Sequence, residues 1–300
     1  MPQPSGVGPD LVLAGAARSG TSLLAARLGE FPQIDAGSVK EPNFFSREMQ
    51  RGSAWYDGLY APRKAGLLRL DASASYTYPQ YPQALGQLNR AAPQSFVVYL
   101  VRDPLPRLVS HYLFYRHYFN NEQHPDLAGA LRDRPLYAGA SDYSTWVPRL
   151  RETFGEDRLL VVPFQALTAS THAVAVTVCR LLGISEPHDL PQTAARAQRH
   201  QNSVVEFRLD VARRMTSAVR RSSVYPQLRS RLGPHQLRRI RSVLTRRPDL
   251  PSTAEVLAQA TAEQRQELHR LEARARAAVA EFLADQDRRL DLQWTPLWVF

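Results

Sequence analysis

Apolar residues along this chain follow two alternating rhythms. Short, nearly unbroken runs, LVLAG (11–15), LLRLD (67–71), SFVVYLVRD (95–103) and DRLLVVPF (157–164), have the pattern of parallel strands covered on both faces. Between them, apolar residues recur at helical spacing in TSLLAARLGEF (21–31), PRLVSHYLFYRHY (106–118), YSTWVPRLRETFG (143–155) and THAVAVTVCRLLG (171–183). Gly155 and Gly183 fall where helix C-caps belong. Alternation of strand and helix predicts an α/β fold, a parallel β-sheet with right-handed crossovers flanked by helices. From about residue 203 the strand signal stops, and a charged helix is expected over AEQRQELHRLEARARAAVAEFLADQ (262–286). The expected organisation is a single domain over 1–300: a flexible N-terminus (1–10), an α/β core (11–202) and a basic helical extension (203–300).

Composition narrows this only a little. An apolar content of 44% supports a packed core. The single cysteine, Cys179, excludes an internal disulfide framework and fits a reducing compartment. No run reaches the roughly 18 consecutive apolar residues of a membrane span. The apolar stretch Leu11–Ala17 follows Asp10 with no basic residue before it, so it does not read as a signal peptide. A cytoplasmic protein is expected. The formal charge of +10 is unevenly spread: residues 203–247 hold 12 arginines against Glu206 and Asp210, and the rest of the chain is neutral. Lysine occurs only at Lys40 and Lys64. The arginine-rich segment fits solvated helix faces, contact with an anionic acceptor, or a peripheral membrane surface. No base-reading motif points to nucleic acid.

The first strand runs into Gly15-Ala-Ala-Arg18-Ser19-Gly20-Thr21-Ser22, the outline of a phosphate loop, which makes the predicted sheet P-loop-like. Backbone N–H groups in such a loop, with the positive end of the next helix, form an anion site. A triphosphatase loop carries lysine where Thr21 stands, and that lysine reaches the β- and γ-phosphates. Binding of one phosphate group survives its loss, and the cation now lies inside the loop at Arg18. By itself the spacing also suits an ordinary strand–turn–helix. A second element, VVYLVRDPLPRLVSHYLFYRH (97–117), places Arg102 at the C-terminal end of a strand, where open α/β sheets bind ligands. Ser110 follows two helical turns later. The plainer alternative is a local Arg102–Asp103 ion pair and a surface hydroxyl.

Together the two elements resemble the cofactor signature of sulfotransferases that use 3′-phosphoadenosine 5′-phosphosulfate (PAPS). ARSGTSLL is similar to that family's 5′-phosphosulfate loop, and VRDPLPRLVSHY to its 3′-phosphate element. Between and beyond them KEPNFF (40–45), GSAWYDGLY (52–60), LDASASYTY (70–78), DRLLVVPFQALTAS…VCRLLGI and LQW resemble, in order, segments of the heparan-type and bacterial carbohydrate branch. The resemblance implies transfer of a sulfuryl group from PAPS to a hydroxyl of a small-molecule, carbohydrate or natural-product acceptor, leaving PAP and requiring no metal. Arg18 is then expected at the bridging phosphosulfate oxygen, with Ser19, Gly20, Thr21 and Ser22 around the 5′-phosphate. Arg102 and Ser110 are expected on the 3′-phosphate, and Asn202 in a loop over the adenosine end.

The base that takes the acceptor's proton matches Glu41, and His111, which follows Ser110, is the alternative. One departure stands out. Where the heparan-type pattern reads E-K-[ST]-P-x-Y, this chain reads Asp71-Ala72-Ser73-Ala74-Ser75-Tyr76, without the second lysine. Lys40, beside Glu41, is a candidate for the missing charge. A nucleotide kinase-like phosphotransferase is the competing enzyme class, and lysine at position 21 would be its mark. A catalytically silent nucleotide-binding or membrane-docking protein is the other reading, against which Arg18, Glu41, Arg102 and Ser110 stand together.

Overall fold

A computed structural model describes residues 8–119, 121–185, 206–207, 245–246 and 250–298. Five strands, β1 (Leu11–Gly15), β2 (Ile34–Asp35), β3 (Leu68–Asp71), β4 (Phe96–Val101) and β5 (Leu159–Pro163), form one sheet in the order β2-β3-β1-β4-β5. Every pairing in it is parallel. All residues of β1, β4 and β5 are buried, which accounts for the unbroken apolar runs. The α/β architecture is the one the hydrophobic rhythm predicts. Strand β2 is only two residues long and left no legible signal.

Helices cover both faces. In chain order they are α1 (Thr21–Leu28), α2 (Ser53–Asp57), α3 (Ala84–Ala91), α4 (Pro104–Phe114), α5 (Leu127–Asp133), α6 (Leu136–Gly139), α7 (Tyr143–Phe154), α8 (Phe164–Ala169) and α9 (Thr171–Leu181). Helices α10 (Thr253–Ala258) and α11 (Ala262–Leu290) follow. Helix α4 starts with Pro104 at its first position, where a missing N–H costs nothing. It is buried on both sides: Tyr112, Leu108 and Val109 join a second apolar cluster with Leu127, Tyr137 and Val256.

Two details differ from the expected organisation. Pro9 and Asp10 fall in the stretch expected to be flexible, yet Pro9's carbonyl accepts from Ser95 Oγ at 2.6 Å and Asp10's accepts from Phe96 N at 2.9 Å. Beyond residue 203, where strand signals had stopped, Glu206–Phe207 (β6) and Thr245–Arg246 (β7) pair antiparallel. A two-residue pairing carries no periodicity to read. Asn202 and most of the arginine-rich segment lie outside the described residues.

Helix α11 is no appendage to the sheet. Each of α10 and α11 opens with a capping box, Ser252 with Glu255 and Thr261 with Gln264. Ala275, Val279, Phe282 and Leu283 of α11, with Trp294 and Trp298, belong to the same buried cluster as β1, β4 and β5. Gln286 is 1% exposed and bonds both backbone groups of Val161 in edge strand β5, accepting from its N at 2.7 Å and donating to its O at 2.9 Å.

Candidate active site

The loop between β1 and α1 is held from below. Thr77 Oγ1 donates to Ala14 O at 2.9 Å, and a Cβ on Gly15 (φ 134°) would lie 2.3 Å from Thr77 Oγ1. Only glycine fits there. Gly20 is the N-cap of α1 in the left-handed region, without a side-chain cap, and the first turn of α1 carries no acidic residue. The helix therefore presents open N–H groups and its positive end to whatever lies above the loop. Arg107, wholly buried, locks the loop's centre: Nη1 donates to Ala17 O at 3.0 Å, Nη2 to Tyr137 O at 2.6 Å and Nε to Ser141 Oγ at 2.6 Å.

Arg18 and Ser110 lie 92 residues apart in sequence, and Arg18 Nε donates to Ser110 Oγ at 3.2 Å. The guanidinium of Arg18 also stands 4.2 Å over the Phe114 ring. Arg102 Nη1 donates to Arg18 O at 3.2 Å. Burial, then the neighbouring Arg102 charge, lowers the Arg18 pKa to about 10, so it remains a cation at neutral pH. Burial also lowers Arg102. The plain alternative of an Arg102–Asp103 ion pair is replaced by another arrangement: Asp103 pairs with Arg276 of α11 at 2.8 Å. Tyr143 OH, bonded to both the N and the O of Arg102, pins that residue's backbone.

Arg18, Arg102 and Phe114 line one cavity of about 1090 Å³. Gly20, Thr21 and Ser22 form its floor, and Arg18, Arg102, Glu41 and His111 its walls. That is ample for a nucleotide and a second substrate, since ligand pockets run to about 1,000 Å³. Ser19 lies wholly buried under the floor.

Glu41 is at the mouth, its carboxylate 2.9 Å from Lys40 Nζ, with side chains 38% and 47% exposed. Four non-glycine residues among those described have positive φ, and Arg18 (69°), Glu41 (58°) and Asn43 (53°) all line the cavity. Such backbone costs roughly 1–3 kcal/mol per residue and persists only where the surroundings enforce it.

His111 is 1% exposed. Its Nδ1 lies 3.2 Å from Arg107 Nη1, and its Nε2 lies 3.4 Å from Tyr78 OH. An arginine N–H can only donate, so Nδ1 accepts and the ring proton sits on Nε2. Burial, with the Arg107 and Arg18 charges, keeps the imidazole pKa well below its usual range. His111 is thus a neutral ring whose basic nitrogen is already engaged.

The cavity also draws on residues that sequence reasoning did not single out: Asn43, Arg47, Tyr78, Tyr115, Asn121 and Phe164. Two had a usable signal. Phe164 follows the C-terminal end of β5, the edge of the sheet where ligands bind, and Tyr115 lies four residues after His111 on the same helical face.

Comparison with known proteins follows the same line. A model described as "Sulfotransferase family" matches residues 69–188, a stretch holding Arg102 and Ser110 but not Arg18 or Glu41. Heparan sulfate glucosamine 3-O-sulfotransferase 6 of Mus musculus is 32% identical over 117 residues, 37% of this chain and 33% of that protein. The Homo sapiens protein of the same name is 31% identical over 117 residues, with the same coverage of each chain. The chain thus spans about a third of the length of the curated relatives it matches. A sulfotransferase from Alicyclobacillus acidocaldarius shares the fold, with a TM-score of 0.51 at 22% identity, covering 64% of this chain and 89% of the other. Family model, relatives and fold agree in what the chain is similar to: residues 69–188 match the sulfotransferase family, and the fold is shared with a sulfotransferase.

Proposed function

We propose that this protein transfers a sulfuryl group from PAPS to a hydroxyl of a small-molecule, carbohydrate or natural-product acceptor. The observation that carries this reading is the meeting of the loop cation Arg18, itself bonded to Ser110, with Arg102 in one cavity that the uncapped N-terminus of α1 also lines. That donor set suits a nucleotide with one anionic group at each end. PAPS supplies an activated sulfuryl group. The open N–H groups at Thr21 and Ser22 bind the 5′-phosphate, and Arg102 with Ser110 takes the 3′-phosphate. Arg18 moves from Ser110 to the bridging oxygen and stabilises its charge as the S–O bond breaks. An arginine keeps its proton, so this help is electrostatic.

Glu41 is the general base. It accepts the acceptor's proton as the new O–S bond forms, and PAP departs. The state of His111 supports this choice, since its proton faces Tyr78 and its other nitrogen accepts from Arg107. Arg47 and Lys40 at the mouth suit an acceptor carrying negative charge. The chain's single cysteine, Cys179, is buried and has no second cysteine to pair with inside the chain, which supports a cytoplasmic setting. No helix among the described residues is long and apolar enough to cross a membrane.

Radiolabelled PAPS incubated with a panel of hydroxyl acceptors tests the activity. Arg18→Ala should lower turnover by about 10²–10³-fold, the typical loss of one oxyanion donor. Wild-type turnover in that variant, or transfer of label from ATP but not from PAPS, would overturn the proposal.

A further inference from the structure

Glu41 stands in strained backbone on an exposed turn, yet a general base must be held to within a fraction of an ångström of its proton. Something beneath it must supply that precision. Asn43 is buried, and each of its polar groups is engaged. Its Nδ2 donates to Glu41 O at 2.5 Å. Its Oδ1 accepts from Ser75 Oγ at 2.5 Å. Its backbone N donates to Ser73 Oγ at 2.9 Å, and its carbonyl accepts from Ser46 Oγ at 3.1 Å.

The orientation of this bracket is fixed from below. Asp71, wholly buried at the end of β3, accepts from Ser73 Oγ at 2.5 Å, Tyr76 OH at 2.7 Å and Tyr56 OH at 2.8 Å. Ser73 spends its only proton on Asp71, so toward Asn43 it can only accept, which the Asn43 N–H satisfies. The Glu41 carbonyl can only accept, which sets the amide with its nitrogen toward Glu41 and its Oδ1 toward the Ser75 hydroxyl, which donates to it. Both serines lie in the stretch where this chain lacks the family's second lysine.

We infer that Asn43, locked by Ser73 and Ser75 on the Asp71 carboxylate, is a positioning residue that holds the Glu41 turn so that its carboxylate meets the acceptor hydroxyl. The inference rests on the reading of Glu41 as the base. It accounts for an asparagine at this place: the side chain must accept from one neighbour and donate to another, while the backbone adopts a left-handed conformation that asparagine tolerates well.

Asn43→Gly keeps the backbone conformation and removes the bracket, so it is the variant of choice, compared with Glu41→Gln and with the double variant. PAP binding by calorimetry reports whether each is folded and whether the cofactor cradle is intact. Asn43→Gly should bind PAP and show an unchanged KM for PAPS while kcat falls at least about tenfold, because small misplacements of a catalytic group cost up to about 10² in rate. The double variant should be no slower than Glu41→Gln alone, since a residue that acts only through Glu41 has nothing left to position. A kcat within about twofold of wild type for Asn43→Gly, or losses that multiply in full in the double variant, would overturn the inference. If Glu41→Gln keeps the wild-type rate, the base assignment itself falls; if Glu41→Gln is slow and Asn43→Gly is normal, only the positioning role falls. Should Asn43→Gly fail to bind PAP, Ser75→Ala takes its place with the same pattern expected, and an unchanged kcat there counts against the inference.

Discussion

Lys40 shows how far a single side chain can be read. It lies 2.9 Å from Glu41, and an ion pair this exposed adds little to stability, about 0–1 kcal/mol. We assign it the charge that the family's lysine would have supplied at Ala72, which is itself in the cavity wall. Lys40→Met should leave the melting temperature unchanged and lower kcat by about tenfold, less than a buried donor because solvent screens it. The loss should shrink further as salt is raised. Unchanged turnover at low salt would return Lys40 to an ordinary surface residue. Residues of this kind were legible to different degrees. Arg18, Arg102 and Ser110 stood out because each falls in a short local pattern, the phosphate-loop outline at 15–22 and the strand-to-helix junction at 97–117. Asn43 and Tyr78 did not, because their neighbours come from about 30 residues away in the chain, through contacts that no local spacing encodes.

At the scale of an element, α4 joins the β1–α1 loop to the core. Arg107 and His111 lie one turn apart, so the cation that locks the loop also fixes the tautomer of the histidine. This makes the helix sensitive to acid. The folded imidazole titrates well below its usual range, whereas in the unfolded chain it takes a proton near pH 6.5. Below that pH the unfolded state therefore binds more protons, and stability must fall as pH falls. His124 acts in the opposite sense, raised by its hydrogen bonds to Glu122 and Asp133, so the informative quantity is the difference between proteins. His111→Gln should lose stability at neutral pH yet show a flatter decline between about pH 6.5 and 5 in urea titrations. Parallel curves would mean that His111 charges freely in the fold. The sequence located α4 but not its end: the periodic pattern ran to residue 118, whereas the α-helix stops at Phe114 and a wider turn carries Tyr115–Phe119. A single i→i+5 turn is too short to leave a period of its own in the sequence.

At the scale of the whole molecule, the sequence suggests that the C-terminal helix extends a single domain. Its contacts show how closely it is joined to the sheet: Arg276 of α11 pairs with Asp103, the neighbour of Arg102, whose own guanidinium donates to Arg18 O in the loop. It also closes the edge of the sheet, where Gln286 occupies the backbone N–H and C=O that β5 would offer a further strand. Replacing it by an apolar residue of similar length would strand both groups in a dry interface, at a cost of about 1–3 kcal/mol each. Gln286→Leu should therefore lower the urea midpoint while the slope m stays constant, because the surface exposed on unfolding does not change. If α11 folds with the sheet, sheet and helix signals should be lost in one transition, in the wild type and in the variant alike. A variant that loses α11 at a lower urea concentration than the sheet would show the helix to be a separate unit. The affinity for PAP sharpens the test: it should persist up to the common midpoint, because the docked helix, through Arg276 and Asp103, is joined to the strand end that carries Arg102.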